Sequence, residues 1–550
     1  MKKHSIQLFS LVIFFFLTVS AQKNDQNSSK LQNLFKEWRS FEIPPIVNGA
    51  PDYKKITFDK RFSEFLKLKS MLCDIDKSSL STEEKVDWTL IWAEMNGYLF
   101  NYKVLKPWER DPAFYKTIWT SRSDVPAHEG PSHHNLVELW KYKFPLNSVD
   151  KLKLISDLKV IPNLNKQAKQ NLIGNARDLW ITGIRTIKRQ SSDLKSLLKR
   201  IDPLDKGISK VIIDAISSTN EFVGWLEKEA INKNGPSGIG KENYTWYQKN
   251  VHLVPLTWEQ EVILLKNELA RAWTSLKYEE KNNSKLPYLS AVNNSKEYDE
   301  LAKKSAEELL SFLDDQKIIT VKPYYKDALQ PHLGKFIPKY KRNFFWITAH
   351  YDPKPLYSHF FHWFELAQMD IDPHKNEIRR KPLLYNIFDS RSEGVATAVE
   401  ELFMQAGLYK NNPRAREIVY ILIAQRAARG LGSLYAHANI MSMEEAGKIH
   451  SEYTPRGWMK TEKDLLIFEQ HLYLRQPGYG TSYITGKYLL ESAIADYSKI
   501  NEEENSKEII KDFFDLLMSI GNIPMTLVHW QMTNSNAHIK DLINECELNL

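Results

Sequence analysis

The chain has 550 residues, of which 42% are hydrophobic and 26% charged, which excludes a small module or a largely disordered chain and points to one large or two closely packed domains. Lys and Arg exceed Asp and Glu by a formal charge of +7, which favours acidic partners such as uronic-acid or sulfated glycans or acidic peptides. Two cysteines, Cys73 and Cys546, exclude a disulfide framework and a zinc–cysteine cluster, leaving either one pair or two unpaired thiols.

The N-terminus reads Met1-Lys2-Lys3-His4, then an apolar run from Ile6 to Val19, then Ser20 and Ala21. A basic start, a short apolar stretch and small residues predict a secretory signal, residues 1–21, cleaved near Ala21. The mature protein is therefore expected to be exported, periplasmic or secreted, which makes nucleic acid an improbable target. No Cys follows the cleavage site, so a lipid anchor is not expected. No later stretch reaches about 18 consecutive apolar residues, so stable membrane insertion is not expected either. Residues 22–35 read as a polar leader.

Residues 36–231 form an N-terminal half with helical periodicity over Lys60–Met71, Thr82–Tyr102, Asn165–Lys188 and Lys206–Ala230. Within it, His128-Glu129-Gly130-Pro131-Ser132-His133-His134 superficially resembles a zinc motif. Gly130 and Pro131 prevent the helix that would put two imidazoles on one face. The stretch reads instead as a loop of surface histidines or one whose His133 and His134 face a substrate. Residues 232–240, rich in Gly, Pro and Asn, read as a linker. The C-terminal half, 241–550, continues the helical pattern from Trp258 to Tyr278, with Thr257 as N-cap and Glu259 and Glu261 in the first turn. Further helices are expected over Tyr298–Phe312, Arg391–Ala406, Arg414–Asn439, Ser442–Tyr453, Glu462–Leu474 and Ser506–Ile520. Asn343–Ala349 is the best strand, with His350 at its end read as a satisfied structural histidine. The fold expected is mainly α with one small β-sheet.

The C-terminal half also carries motifs. Glu393-Gly394-Val395-Ala396-Thr397-Ala398-Val399-Glu400-Glu401-Leu402-Phe403, followed by Ala406-Gly407-Leu408-Tyr409, resembles the EGWALYAEEL…GLY signature of the domain-of-unknown-function 885 family. Gly240–Tyr247, Leu256–Glu261, Arg475–Lys487 and Phe513–Pro524 are similar to further blocks of that family, in the same order. The resemblance implies a large helical metallopeptidase-like fold of the thimet oligopeptidase type with a central cleft. It also implies a zinc ion held by HExxPGH and by the Glu of EGWA, here Glu393.

HExxPGH is absent. With Ser358–Gln368 aligned on that helix, His362 takes the first ligand position, Trp363 replaces the catalytic Glu and Gln368 the second His. The register that would use His359 places Pro353 and Pro355 in the ligand helix, where proline breaks hydrogen bonding. His362 and Glu393 then remain as a two-residue metal pair, so no cofactor is expected, with zinc the alternative. By resemblance Tyr479 and Tyr483 line the cleft, with Arg475 and Lys487 close by, and Arg391 reads as an anion contact or a solvated helix end. These residues suggest an exported lyase or dehydratase performing β-elimination on an acidic, uronic-acid-containing oligosaccharide. His362, His359, Tyr483 and Tyr479 would carry the acid–base chemistry. A zinc-dependent metallopeptidase and a non-catalytic protein that binds peptide or glycan are the alternatives.

Overall fold

The computed structural model describes residues 29–542, apart from 129, 131–133, 135, 462 and 503–507. The signal segment with its cleavage site, His133 and Cys546 lie outside the described residues. Cys73 is disulfide-bonded. Residues 29–42 form a helix that buries Leu31, Leu34, Phe35 and Trp38, so the described end of the 22–35 segment is helical rather than a polar leader.

The chain is mainly α. Among the described residues the strands make two sheets of two short strands each, where the sequence suggests one: Ile46–Val47 with Ala50–Pro51, antiparallel, and Ile118–Trp119 with Val137–Glu138, parallel. The expected strand at Asn343–Ala349 is instead the helix Phe344–Tyr351. An unbroken apolar run suits a buried helix as well as a strand. The Asn343 side chain decides between them, because it caps the helix by accepting from the Trp346 N–H at 3.0 Å. No helix among the described residues is long and apolar enough to cross a membrane.

Seven helices frame the region of interest: α1 (Trp258–Asn282), α2 (Lys354–His359), α3 (Phe361–Ile371), α4 (Asp389–Gln405), α5 (Ala415–His437), α6 (Lys463–Arg475) and α7 (Tyr479–Ile500). Thr257 opens α1 through a reciprocal cap with Gln260, as its sequence context predicts. Helices α4 and α5 are buried on nearly every face, as is the first half of α7. Glycines permit this. A Cβ on Gly394 of α4 would stand 2.4 Å from the Gly486 backbone of α7, and one on Gly430 of α5 would stand 2.8 Å from the Gly480 carbonyl oxygen. Only residues without a side chain let these backbones meet. One of the contacts lies beside Glu393, which fixes that carboxylate between α4 and α7.

The 232–240 segment is tied to its surroundings. Gly235 bridges to Ala176, the Gly238 N–H donates to the Asn439 side chain, and the Gly240 N–H donates to the His437 carbonyl at 2.8 Å. One hydrophobic core runs from Leu31 through Trp180 to Trp530, on both sides of that segment.

Candidate active site

Pro353 and Pro355 do not break the helix that matters; they begin it. Pro355 occupies the first turn of α2, where a missing N–H costs nothing. The helix ends at His359, and Phe360 bends the chain into α3, bringing His362 round to face it. The two rings meet edge to face with centroids 4.9 Å apart. Glu393 reaches them from α4: its Oε2 lies 3.2 Å from His362 Nε2 and 3.7 Å from His359 Nε2. One ligand atom from each of the three residues lies within 4.8 Å of the others, and all three residues are buried. The site therefore holds two imidazoles and a carboxylate, where the aligned motif leaves one of each. His359, not Gln368, supplies the second imidazole.

The surroundings orient this group. Glu400 stands two turns beyond Glu393 on the same face of α4, with Oε1 3.0 Å from His359 Nδ1. Arg426 of α5 clamps Glu400 through two bonds of 2.6 Å, and its guanidinium also lies 3.1 Å from His359 Nδ1. With its proton on Nδ1 and given to Glu400, His359 turns the Nε2 lone pair toward Glu393, the arrangement that carboxylates impose on metal-binding histidines, and Arg426 then donates to Glu400 and not to Nδ1. The His362 Nδ1 atom is buried and finds no hydrogen-bond partner among the described residues. Together these donors fit a divalent metal such as zinc, whose three-ligand sites keep an open position. Burial works against charge on His362, but the Glu393 carboxylate outweighs it and lifts the imidazole to about 9. Burial would raise Glu393, yet His362 holds it near 2. Burial, with Arg426 beside it, pushes His359 down.

Tyr479 and Tyr483 stand one turn apart on α7. Tyr479 donates to the second oxygen of Glu393, and Tyr483 donates to the Tyr479 hydroxyl at 3.1 Å. The Arg429 guanidinium covers the Tyr483 ring at 3.8 Å and pairs with Glu469 of α6 at 2.7 Å. A cavity of about 270 Å³ opens here, lined by His359, Tyr479, Tyr483, Arg426, Arg429 and, from the N-terminal half, Asp124. Burial, with the charge of Glu393, raises the Tyr483 hydroxyl well above its ordinary value, so it remains a proton donor.

The other residues singled out from sequence stand elsewhere. Trp363 lies flat against His332, ring centroids 3.3 Å apart. Arg475 pairs with Asp111 at 2.6 Å. Lys487 is held among Glu268, Glu401 and Glu491, outside the cavity lining. Arg391 pairs with Glu365 and lines a separate cavity of about 650 Å³. His134 pairs with Glu42 at 2.7 Å, and His128 lies 3.1 Å from Glu138. Gly130 does reach the C-terminal half, donating its N–H to Gln476 at 2.8 Å. Within Arg475–Lys487 only residues 476–478 form a tight turn, with Gly478 at φ 86°; Arg475 ends α6, and Tyr479–Lys487 already belong to α7. Sequence reasoning missed Glu400, Arg426, Arg429, Glu469 and Asp124. Arg426 and Arg429, three residues apart in the largely apolar middle of α5, and Glu400, seven residues after Glu393, were the available signals.

The chain matches no protein-family model and no curated protein sequence. It is similar in structure to a protein from Shewanella oneidensis described as a "putative lipoprotein of unknown function", with a TM-score of 0.63 and 15% identity over 93% of this chain and 99% of that one. A "putative lipoprotein" from Colwellia psychrerythraea is similar with a TM-score of 0.64 and 14% identity, over 94% and 99% of the two chains. At such identities the likeness shows one thing: this chain has the fold of both proteins along nearly its whole length.

Proposed function

We propose that the chain is an exported, metal-dependent hydrolase that cleaves an amide or ester bond on a helical, peptidase-like scaffold. The observation that carries this reading is the convergence of His359, His362 and Glu393 within 4.8 Å, with Glu400 behind His359. These three residues would hold the metal. When bound, the metal contributes Lewis acidity, polarising the scissile carbonyl and acidifying water. The protonated hydroxyl of Tyr483, with Arg429 stacked on its ring, suits stabilisation of negative charge developing on the carbonyl oxygen. Trp363 stands where the resemblance would put the proton acceptor, and Asp124 is the carboxylate that could take that role from across the cavity.

The burial of Tyr483 also weighs between hydrolysis and elimination. The raised pKa of this hydroxyl suits it to donate a proton or a hydrogen bond and opposes a role as base, so a uronic-acid lyase would have to draw its base from His359 or His362. The N-terminal pattern of Lys2, Lys3 and the Ile6–Val19 run supports export, as does the description of both structural relatives as lipoproteins.

The test is elemental mass spectrometry on the full exported protein after dialysis against zinc and then against metal-free buffer. One zinc per chain is expected, lost in His359→Ala, His362→Ala and Glu393→Gln. Hydrolysis of internally quenched peptides should stop on chelation and return with zinc. A wild-type protein that retains no metal, or turnover indifferent to chelation, removes the reading.

A further inference from the structure

Phe468 and Leu472 of α6 line the cavity of His359 and Tyr483, and they also line a second cavity of about 290 Å³. This annex is cationic: among the described residues Lys116, Arg185, Arg189 and Arg475 line it, against the single acid Asp464. Arg185 and Arg189 stand one turn apart, both exposed, on the helix Arg177–Leu198. The Lys116 ammonium sits 3.8 Å from the centre of the Trp119 ring. Arg475 is already neutralised by Asp111. The Arg185–Asp464 contact at 2.8 Å joins two exposed side chains, and such pairs contribute little and yield to a better-placed anion.

We propose that this annex is a subsite for a carboxylate-bearing residue of an acidic peptide, bound while the adjoining acyl bond lies at His359 and Tyr483. The proposal rests on the hydrolase reading of that first cavity and adds its substrate class. The acyl-bond chemistry of the first cavity favours a peptide over an acidic sugar, whose glycosidic links offer no acyl carbon. Phe468 and Leu472, which line both cavities, offer apolar surface on which side-chain methylenes pack. A groove lined by one sign of charge also draws oppositely charged substrates toward it, more weakly as salt rises.

The experiment is isothermal titration of the full exported protein with three probes: N-acetyl-tetraglutamate, N-acetyl-tetraglutamine and trigalacturonate. At low salt, tetraglutamate is expected to bind about tenfold more tightly than tetraglutamine, the scale of one charge-assisted contact. The double variant Arg185→Gln, Arg189→Gln should abolish that gap while zinc content and thermal unfolding stay those of the wild type. Equal affinities in the wild type, a gap that survives the double variant, or tighter binding of trigalacturonate than of tetraglutamate would each overturn the proposal. A wild type that shows the gap but holds no zinc sustains the annex and sinks the hydrolase reading instead.

Discussion

Glu400 touches no substrate in the arrangement described, yet the role of His359 turns on it. Its carboxylate, 3.0 Å from Nδ1, selects the ring orientation that leaves Nε2 toward Glu393. Glu400→Gln keeps the size of the side chain and removes its charge, so His359 should stay in place and bind metal less well. Zinc affinity is expected to fall about 10- to 100-fold, the usual cost of losing such a partner, while Glu393→Gln should abolish stoichiometric binding. Competitive titration with a chromogenic chelator reads both, and an unchanged affinity in Glu400→Gln would show that the carboxylate does not orient the ring. A second histidine makes a prediction about pH. His350 donates from Nδ1 to the Trp346 carbonyl at 2.7 Å and accepts the Ile337 N–H on Nε2 at 3.0 Å, so the neutral ring is the one that fits. Burial pushes its pKa down to about 4. Below its ordinary value near 6.5 the unfolded chain therefore binds the proton more readily than the folded one. The stability contributed by His350 is complete above about pH 6.5 and is lost as pH falls toward 4. Gln at this position cannot titrate. The difference in melting temperature between wild type and His350→Gln should stay level from pH 7.5 to about 6.5 and shrink as pH falls from there to 4, and a constant difference throughout would mean that His350 does not titrate across that range.

At the scale of elements, the helix crossing beside Glu393 depends on two glycines with no room for a methyl group. A Cβ on Gly394 would meet Gly486 at 2.4 Å, and one on Gly486 would meet the Ser390 carbonyl at 2.2 Å. The obstacles are backbone, which cannot turn aside as a side chain can. Gly394→Ala and Gly486→Ala should each destabilise by about 1–3 kcal/mol, as overpacking does, and lower zinc occupancy by moving Glu393. Gly224 supplies the contrast: it lies inside the helix Lys206–Ala230 with nothing within 4 Å of an added methyl group, so Gly224→Ala should stabilise by about 0.5–1 kcal/mol. Chemical denaturation separates the two classes, and similar effects at all three positions would refute the close-approach account. This crossing also shows what can be read in advance. Glu393 is legible because Glu393-Gly394-Val395-Ala396 resembles the EGWA motif, which implies a metal-binding carboxylate. His359 reads poorly as a ligand because two prolines precede it, and proline is tolerated where a helix starts but not where it continues. Which case applies depends on the boundary between α2 and α3, and Phe360 carries no signal for that bend. Glu400 and Arg426 lie on helices that the periodicity predicts, but their pairing across α4 and α5 is tertiary and has no mark in either segment alone. The run Asn343–Ala349 fails as a strand for a related reason: its side chains are apolar in both periodicities, and only the cap at Asn343 settles the matter.

At the scale of the whole molecule, residues 232–240 have the composition of a linker but not its surroundings. The segment is bonded to Ala176 on one side and to His437 and Asn439 on the other. A Cβ on Gly238 would lie 2.3 Å from the Ala436 carbonyl, leaving a protease no room to draw the chain out. The two halves also share one apolar core and the polar pairs that cross it, among them Arg379 with Asp87 at 2.7 Å and Arg475 with Asp111 at 2.6 Å. Each of those arginines is buried, so separating the halves would strand charge in apolar surroundings, at a cost of about 3–5 kcal/mol for a broken buried pair. Neither half should therefore unfold while the other persists. Unfolding by guanidinium should give coincident transitions by far-ultraviolet circular dichroism and by tryptophan fluorescence, since the 15 tryptophans report on tertiary packing and the dichroism on helix content. Limited proteolysis under native conditions should leave 232–240 intact. Two separated transitions, or a pair of stable fragments cut within that segment, would mean that the shared core does not couple the halves, and the candidate site, which draws Asp124 from one and His359 from the other, would then open and close with their relative motion.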